Sequence, residues 1–319
     1  MKKILITGST GFAGQHLIKH LLGENKGKII GTYIDDSSLE RMGAIKDKVD
    51  LVKIDLLDKE KVLNLVGKTS PDEIYHLAAF TAPGLSFESP SEVIMNNVSS
   101  EINILEAVKK NNLLETKILI VSSGDIYGDV KKEDLPIDEE TPLNPANPYS
   151  VSKVAQDFLG LQYFNAYGIR VIRVRPFNHI GPGQGPNFVV STFSKKIAEI
   201  EKGQKEPVLK VGNLEAKRDF TDVEDMVRAY SLVLDKGKYG DVYNLGSGKS
   251  YKIKDILNKL LSFSEKKIAV ELDEALLRPI DTPELVCDYS KFHKLTGWAP
   301  KVPIDTTLKN TLDYWRNIL

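Results

Sequence analysis

Cysteine is almost absent from this chain of 319 residues, since Cys287 is the only one. A single thiol excludes an intrachain disulfide and leaves too few ligands for a cysteine-based metal site, so we expect no metal. Net charge is equally scarce, because 43 basic residues nearly cancel 44 acidic ones. No overall field therefore favours nucleic acid or a membrane surface. Long apolar runs are also lacking, both for a membrane span and for a secretory signal. We expect a cytoplasmic enzyme with a small-molecule partner.

A glycine turn stands near the start of the chain. The stretch ILITGSTGFAG at 4–14 runs from three apolar residues into spaced glycines and then into apolar residues at helical spacing. Such a strand, turn and helix lets the backbone approach a pyrophosphate, and the helix N-terminus adds unpaired N–H groups. The G-x-x-G-x-x-G spacing is one residue wider at its first step than the commonest fingerprint. We predict that a dinucleotide contacts the turn at Gly8, Gly11, Phe12, Ala13 and Gly14.

Strand-like and helix-like segments alternate through the first half of the chain. After the glycine turn, strands are predicted at 28–36, 51–58, 73–79 and 117–124, with amphipathic segments between them. This alternation predicts an α/β fold with a Rossmann-like parallel sheet and helices on both faces. Ligands of such sheets bind at the carboxyl ends of the strands.

An acid closes the second predicted strand. Asp35 lies about 20 residues past the glycines, where a dinucleotide site places the carboxylate that accepts hydrogen bonds from the adenosine ribose. Tyr33 or Asp36 takes that place if the strand ends earlier or later. Arg41 follows in the next turn, so both NADP(H) and NAD(H) stay open as cofactors.

Tyr149 and Lys153 lie four residues apart where a helix is predicted to follow a proline-rich loop. Helical spacing places their side chains on one face, with Cβ atoms roughly 5 to 6 Å apart. A lysine ammonium beside a phenol favours the phenolate, so we predict that Lys153 makes Tyr149 a better proton shuttle. Ser123, at the end of the fifth predicted strand, is the third candidate catalytic residue.

These motifs together resemble one family. In order, they are the glycine turn, HLAA at 76–79, Ser123 followed by IYG at 126–128, and Tyr149-x-x-x-Lys153. The set resembles the extended short-chain dehydrogenase/reductases that act on nucleotide-diphosphate sugars, over essentially the whole chain. The resemblance implies an NAD(P)-binding Rossmann domain and a smaller C-terminal α/β domain for the sugar nucleotide. We expect the first from 1–176, with 221–246 returning to it, and the second from 177–220 and 247–319.

The resemblance also implies roles for the candidate catalytic residues. Ser123 would hydrogen-bond the reacting oxygen of the sugar, Tyr149 would move its proton, and Lys153 would bind the nicotinamide ribose. Donors aimed at that oxygen lower the barrier, because hydride arrival turns it into an alkoxide. Further cofactor contacts are expected at the ends of the third and fourth strands, namely Asp55, Leu56, Leu77, Ala78 and Ala79.

Two C-terminal stretches narrow the substrate. The segments 175–190 and 211–230 resemble GDP-mannose 4,6-dehydratases and their partner reductases, which implies a GDP-sugar. By that similarity two arginines grip the diphosphate with paired hydrogen bonds. The implied substrate contacts are Ser86 in the loop 81–90, Ser123, Asp125, Asn178, Phe188, Val189, Lys195, Arg218 and Arg278.

Residues that the motifs of this chain lack disfavour two of the three reactions that the resemblance suggests, dehydration and epimerisation. The dehydratases carry a polar residue and then Glu before the YG pair, where this chain has Gly124 and Asp125. The GDP-fucose synthases carry a cysteine at the position of Asp125, and His179 alone is a weak substitute for an epimerising pair. The stretches at 123–128 and 175–184 look most like GDP-6-deoxy-D-mannose reductases. We therefore expect NAD(P)H to reduce the C4 ketone of GDP-4-keto-6-deoxy-D-mannose, which gives GDP-D-rhamnose.

Other readings stay open from the sequence. A GDP-mannose 4,6-dehydratase or another sugar-nucleotide epimerase or reductase is the first alternative, and a dinucleotide-binding module without turnover is a minor one. The binding module without turnover would be supported by a Tyr149→Phe variant whose function is intact. Relatives pair through the helices that follow Pro90 and Tyr149, so a homodimer is expected by resemblance.

Overall fold

The computed structural model describes residues 1–81, 83–277 and 282–319. In chain order the strands are β1 (Lys3–Thr7), β2 (Lys28–Tyr33), β3 (Asp50–Lys53), β4 (Glu73–His76), β5 (Lys117–Val121), β6 (Val171–Pro176), β7 (Asn178–Ile180), β8 (Val208–Val211), β9 (Lys217–Asp222), β10 (Val242–Leu245), β11 (Ser250–Lys252), β12 (Ala269–Leu272) and β13 (Glu284–Leu285). The α-helices are α1 (Phe12–Gly23), α2 (Lys59–Thr69), α3 (Pro90–Lys110), α4 (Pro148–Tyr167), α5 (Val189–Glu201), α6 (Val223–Lys236), α7 (Ile253–Ser262), α8 (Ser290–Thr296) and α9 (Ile304–Ile318).

A seven-stranded parallel sheet combines the first five strands with β6 and β10 from the second half of the chain, in the order β10-β6-β5-β4-β1-β2-β3. Strand β1, which lies between β4 and β2, is buried on both faces, since Ile4, Leu5 and Ile6 have no exposed surface. A continuous apolar run of this kind is typical of parallel sheets covered by helices. Thr7 pairs with His76, so the loops that leave β1 and β4 start side by side.

Helices cover both faces of this sheet. Apolar residues of α1 and α6 pack on one face, and residues of α2, α3 and α4 pack on the other. The predicted Rossmann-like parallel sheet with helices on both faces is therefore confirmed.

A second apolar core lies in the C-terminal half of the chain. It joins α5, α7 and α9 with residues of β7, β8 and β9, and Trp315 is among its buried members. The chain crosses between the two cores several times. Strand β10 returns to the large sheet, and Phe292 and Trp298 pack in the core beneath that sheet. The stretch 247–319 thus contributes to both cores, and the predicted domain boundaries stay a prediction.

Among the described residues, none of the helices has the length and apolar character needed to cross a bilayer.

Candidate active site

A cavity of about 680 Å³ lies at the carboxyl edge of the large sheet and extends to α5 and β8. Its walls come from the loops after β1, β4 and β5, the first turns of α4 and α5, and strands β7 and β9. Both apolar cores therefore contribute walls to one site. This edge is where the parallel topology predicts a ligand.

The glycine turn forms one end of the cavity, with Gly8, Gly11, Phe12, Ala13 and Gly14 in its wall. Gly8 has a φ of +67°, which favours glycine. A Cβ on Gly14 would lie 2.3 Å from the carbonyl oxygen of Gly8, so the turn closes only with glycine there. Helix α1 begins directly behind this turn.

The N-terminus of α1 suits an anion. Its N-cap, Gly11, offers no capping side chain, and the first turn contains no acidic residue. The first N–H groups of a helix lack partners within the helix and carry partial positive charge. A diphosphate meets these requirements, so the turn fits the pyrophosphate of a dinucleotide.

Thr7 holds the neighbouring loop against this turn. Its hydroxyl accepts hydrogen bonds from the backbone N–H groups of Leu77 and Ala78, both at 3.1 Å. The same hydroxyl lies within hydrogen-bond distance of Nδ1 of His76, at 2.9 Å. Leu77, Ala78 and Ala79 all line the cavity. The small alanines keep this wall close to the backbone.

Ser123, Tyr149 and Lys153 meet in the middle of the cavity wall. Ser123 follows β5 and caps the next turn, where its Oγ accepts the backbone N–H of Asp125 at 3.1 Å. Tyr149 is the second residue of α4, and Asn147 starts that helix with a capping box. Lys153 lies one turn further along α4, and its Nζ donates to the carbonyl of Val121 at 2.9 Å.

The phenol of Tyr149 holds its proton in this structure. Burial, reinforced by the charge of Asp125, raises the pKa of Tyr149, while a hydrogen bond with Ser123 opposes the rise. Lys153 Nζ lies 5.9 Å from the centre of the Tyr149 ring, and burial lowers the pKa of Lys153 to about 8. In this structure the ammonium of Lys153 is turned to Val121 and desolvation dominates the pKa of the phenol, so the tuning of Tyr149 by Lys153 stays a prediction.

The other half of the cavity contains four of the predicted substrate residues. Asn178 lies on β7, Phe188 caps α5 and Val189 is the first residue of α5. Arg218 on β9 also lines the cavity, and its Nη1 donates to the carbonyl of Thr282 at 2.7 Å. The prediction for Arg278 lies outside the described residues.

Lys196, and not Lys195, lines the cavity. Lys195 faces Glu199, with Nζ 3.7 Å from the carboxylate, and its Nζ lies 5.5 Å from the centre of the Trp315 ring. Lys196 Nζ donates to the backbone carbonyl of Lys210 at 3.2 Å. Since successive helical residues differ by about 100° in direction, only one of the two lysines faces a given surface.

Four other predicted contacts lie outside the cavity wall. Asp35 uses its carboxylate to cap a 3-10 helix, accepting from the backbone N–H of Ser37 at 3.1 Å. Asp55 and Leu56 follow β3 at the same sheet edge, further from the cavity. Ser86 is fully buried, and its hydroxyl donates to the carbonyl of Pro83 at 2.7 Å. For these four residues the cofactor and substrate roles stay predictions.

Several wall residues were not predicted from the sequence. They come from scattered elements and include Thr81, Glu88, Phe177, Gln184, Lys196, Lys210, Asn213, Tyr230 and Leu276. Only Lys196 has a local signal, because it follows the predicted contact Val189 by seven residues and so shares its helix face. In the described part of the chain, no cluster of His, Cys, Asp and Glu side chains could hold a metal ion.

A dinucleotide turn and a Tyr-x-x-x-Lys pair thus meet at one edge of one parallel sheet, which is the arrangement of the extended short-chain dehydrogenase/reductases. A profile of the family described as GDP-mannose 4,6 dehydratase matches residues 5–311. The chain therefore belongs to the GDP-mannose 4,6 dehydratase family, within the extended short-chain dehydrogenase/reductases.

Relatives with names and structures agree with this assignment. The chain is 32% identical to GDP-6-deoxy-D-mannose reductase of Pseudomonas aeruginosa, over 99% of this chain and 98% of the relative. It matches the solved structure of RMD from Pseudomonas aeruginosa complexed with NADPH at a TM-score of 0.86 and 31% identity, over 100% of both chains. UDP-glucose 4-epimerase of Thermus thermophilus, in complex with NAD, reaches a TM-score of 0.87 at 26% identity, over 99% of this chain and 100% of the other. The protein is an enzyme that binds NAD(P), as predicted.

Proposed function

We propose that this enzyme reduces the C4 ketone of GDP-4-keto-6-deoxy-D-mannose to GDP-D-rhamnose. The observation that carries the proposal is the phenol of Tyr149 hydrogen-bonded with Ser123 in the cavity wall. NAD(P)H supplies a hydride to the ketone carbon. Tyr149 then donates its proton to the developing alkoxide, and the hydroxyl of Ser123 stabilises the same oxygen. Tyr149 is in its acid form at neutral pH, so it has a proton to donate.

The neighbourhood of Gly124 disfavours a dehydratase. Elimination needs an acid and a base beyond Tyr149, and Gly124 supplies no polar side chain. A Cβ on Gly124 would lie 2.8 Å from the ring of Phe177, so a larger residue requires that ring to move. Asp125 lines the cavity, but its carboxylate accepts a hydrogen bond from the side chain of Asn147 at 3.2 Å. Simple hydride transfer needs neither residue as a second acid or base.

The far half of the cavity supports a GDP-sugar as substrate. Arg218 and Lys196 line it together with apolar residues of α5. Their charges suit a diphosphate and the polar edge of a base, although the chain as a whole is nearly neutral. Phe188 supplies an aromatic surface for the nucleoside.

The test uses the ketosugar itself. The enzyme is mixed with GDP-4-keto-6-deoxy-D-mannose and NADPH or NADH, the absorbance of the reduced cofactor is followed, and the product is identified by NMR. We expect one equivalent of cofactor to be oxidised for each GDP-D-rhamnose formed. Without cofactor oxidation the proposal is rejected. Formation of the ketosugar from GDP-mannose, with no net use of cofactor, would instead identify a dehydratase.

A further inference from the structure

Asp219 is a fully buried acid that the proposed reaction does not use. Its Oδ1 accepts the backbone N–H of Ser247 at 2.8 Å and the hydroxyl of the same residue at 2.6 Å. Its Oδ2 accepts the backbone N–H groups of Gly248 at 2.9 Å and of Cys287 at 3.1 Å. One carboxylate therefore uses both oxygens to bind two segments that are distant in sequence.

Both segments reach Asp219 from elements of the large sheet. Ser247 and Gly248 come directly after β10, which is an edge strand of that sheet. Cys287 follows β13 and pairs with Ile137, which belongs to the loop between β5 and α4. Asp219 itself lies on β9, a strand that contributes to the C-terminal core. The carboxylate thus joins the two parts of the molecule that build the two halves of the cavity.

The neighbours of Asp219 on β9 face the cavity. Arg218 and Phe220 both line it, and because side chains alternate along a strand, Asp219 points to the opposite face. Arg218 pairs through its backbone with Leu285 of β13, which also lines the cavity. Its Nη1 donates to the carbonyl of Thr282, just before β13, at 2.7 Å. Asp219 therefore anchors the strand that carries Arg218 and also the segment that orients its side chain.

The chain is closely packed around the carboxylate. A Cβ on Gly246 would lie 2.4 Å from the Cβ of Cys287 and 3.0 Å from Oδ2 of Asp219. The loop after β10 and the segment after β13 therefore meet this closely only because residue 246 is glycine.

A carboxylate satisfies all four donors, and an amide does not. Burial raises the pKa of Asp219, while the hydrogen bonds from Ser247, Cys287 and Gly248 oppose that rise. Three of the four donors are backbone N–H groups, which can only donate, so the site requires an acceptor at both oxygens. An asparagine at this position would turn its NH2 group toward N–H donors.

We propose that Asp219 is a positioning residue that sets the place of Arg218 in the cavity, by binding β9 to the end of β10 and to the segment after β13. A diphosphate bound by Arg218 then lies at a fixed distance from Tyr149, which acts on the sugar. This inference rests on the proposed binding of a nucleotide diphosphate at Arg218, and not on the reaction at the sugar.

Loss of the carboxylate should weaken the binding of the sugar nucleotide and spare that of the cofactor. In Asp219→Asn at least one bound segment is released, so Arg218 is displaced and a hydrogen bond to a charged group is lost. The Kd of GDP should then rise at least about tenfold. The glycine turn belongs to β1 and α1, so the Kd of NADPH should stay near the wild-type value.

The experiment measures the Kd of GDP and of UDP by calorimetric titration, and that of NADPH by fluorescence. Ser247→Ala is a milder second variant, because it removes the donor at 2.6 Å and keeps the buried carboxylate. Thr307→Val is the matched control, since the hydroxyl of Thr307 donates at the same distance, 2.6 Å, to Asp222 on the same strand. Circular dichroism checks that each variant is folded.

A double-mutant cycle with Arg218 separates positioning from a general loss of stability. If Asp219 acts through Arg218, Asp219→Asn should add little to the loss of GDP binding that Arg218→Gln causes alone. If the two residues act independently, their losses multiply. The same cycle is measured with Ser247→Ala.

We expect Asp219→Asn, and to a smaller extent Ser247→Ala, to weaken GDP binding selectively, with Thr307→Val near the wild type. With the ketosugar, KM should rise more than kcat falls. Unchanged GDP binding in both variants, an equal loss for GDP and NADPH, or losses that multiply in the cycle would overturn the proposal. If Asp219→Asn does not fold, Ser247→Ala decides by the same criteria.

Failure of the proposed function gives different results. If UDP binds in place of GDP with the same contrast between variants, or if no ketosugar is reduced, the proposed reaction is wrong while the role of Asp219 stands. A wild type that binds neither nucleotide would overturn both.

Discussion

At the residue scale, the proposed reaction requires the hydroxyl of Tyr149 as its proton donor. Tyr149→Phe removes the proton donor and little else, so kcat should fall by roughly 10² to 10⁴ while the Kd for NADPH stays near the wild-type value. Cofactor oxidation and cofactor fluorescence measure the two quantities separately. Tyr167→Phe, which removes a hydroxyl at the exposed end of the same helix, is the control and should leave both unchanged. Full turnover in Tyr149→Phe would contradict the role of Tyr149 as proton donor, whereas NADPH binding with no turnover in the wild type would favour a binding module without catalysis.

The neighbouring residues Lys195 and Lys196 give a second prediction at the residue scale. Lys196→Gln removes a charge from the cavity wall, whereas Lys195→Gln removes one that faces Glu199. Loss of a hydrogen bond to a charged group costs about 1.5 to 3 kcal/mol, so GDP should bind at least about tenfold more weakly to Lys196→Gln. Calorimetric titration with GDP measures this difference. Equal weakening in both variants would contradict the orientation of α5 described above.

At the element scale, the glycine turn and α1 give a matched pair of substitutions. In Gly14→Ala the new Cβ meets the carbonyl oxygen of Gly8 at 2.3 Å, so the turn must open. We expect the free energy of unfolding to fall by about 1 to 3 kcal/mol, and cofactor affinity to fall with it. Gly23→Ala, at the other end of α1, meets no atom within 4 Å and should keep or gain up to about 1 kcal/mol.

Chemical denaturation with and without NADPH tests this pair. The prediction fails if Gly14→Ala binds the cofactor as tightly as Gly23→Ala does.

The elements differ in how far the sequence alone could predict them. The turn at Gly8 and the pair Tyr149 and Lys153 have local spacings, so their place at the sheet edge follows from a few neighbouring residues. Asp35 depends on where β2 ends, and its carboxylate instead caps the next turn. Lys195 depends on helical phase, which an error of one residue changes by about 100°.

Contacts between distant elements could not be found in the same way. Lys210 and Tyr230 reach the cavity from β8 and α6, and no local spacing connects them with the glycine turn. The protonation state of Tyr149 also depends on distant elements. Its spacing from Lys153 suggested a phenolate, whereas burial by surrounding elements keeps the phenol.

At the scale of the whole molecule, the outer face of α3 and α4 exposes large apolar side chains. Met95, Val151 and Phe158 are each more than two-fifths exposed, and Val151 and Phe158 are seven residues apart on one helix face. Apolar groups clustered on packed helices are typical of protein interfaces. We propose that two copies pair through these helices, as the family resemblance implies.

Phe158→Glu tests this pairing, because a buried charge at the centre of an apolar interface is strongly unfavourable. We expect the wild type to have the mass of a dimer by light scattering, and Phe158→Glu to have that of a monomer with unchanged secondary structure by circular dichroism. Leu272→Glu is the matched control, since Leu272 is even more exposed, 66% against 51%, but lies on β12. It should remain a dimer. A monomeric wild type, or dissociation by both substitutions, would contradict an interface built from α3 and α4.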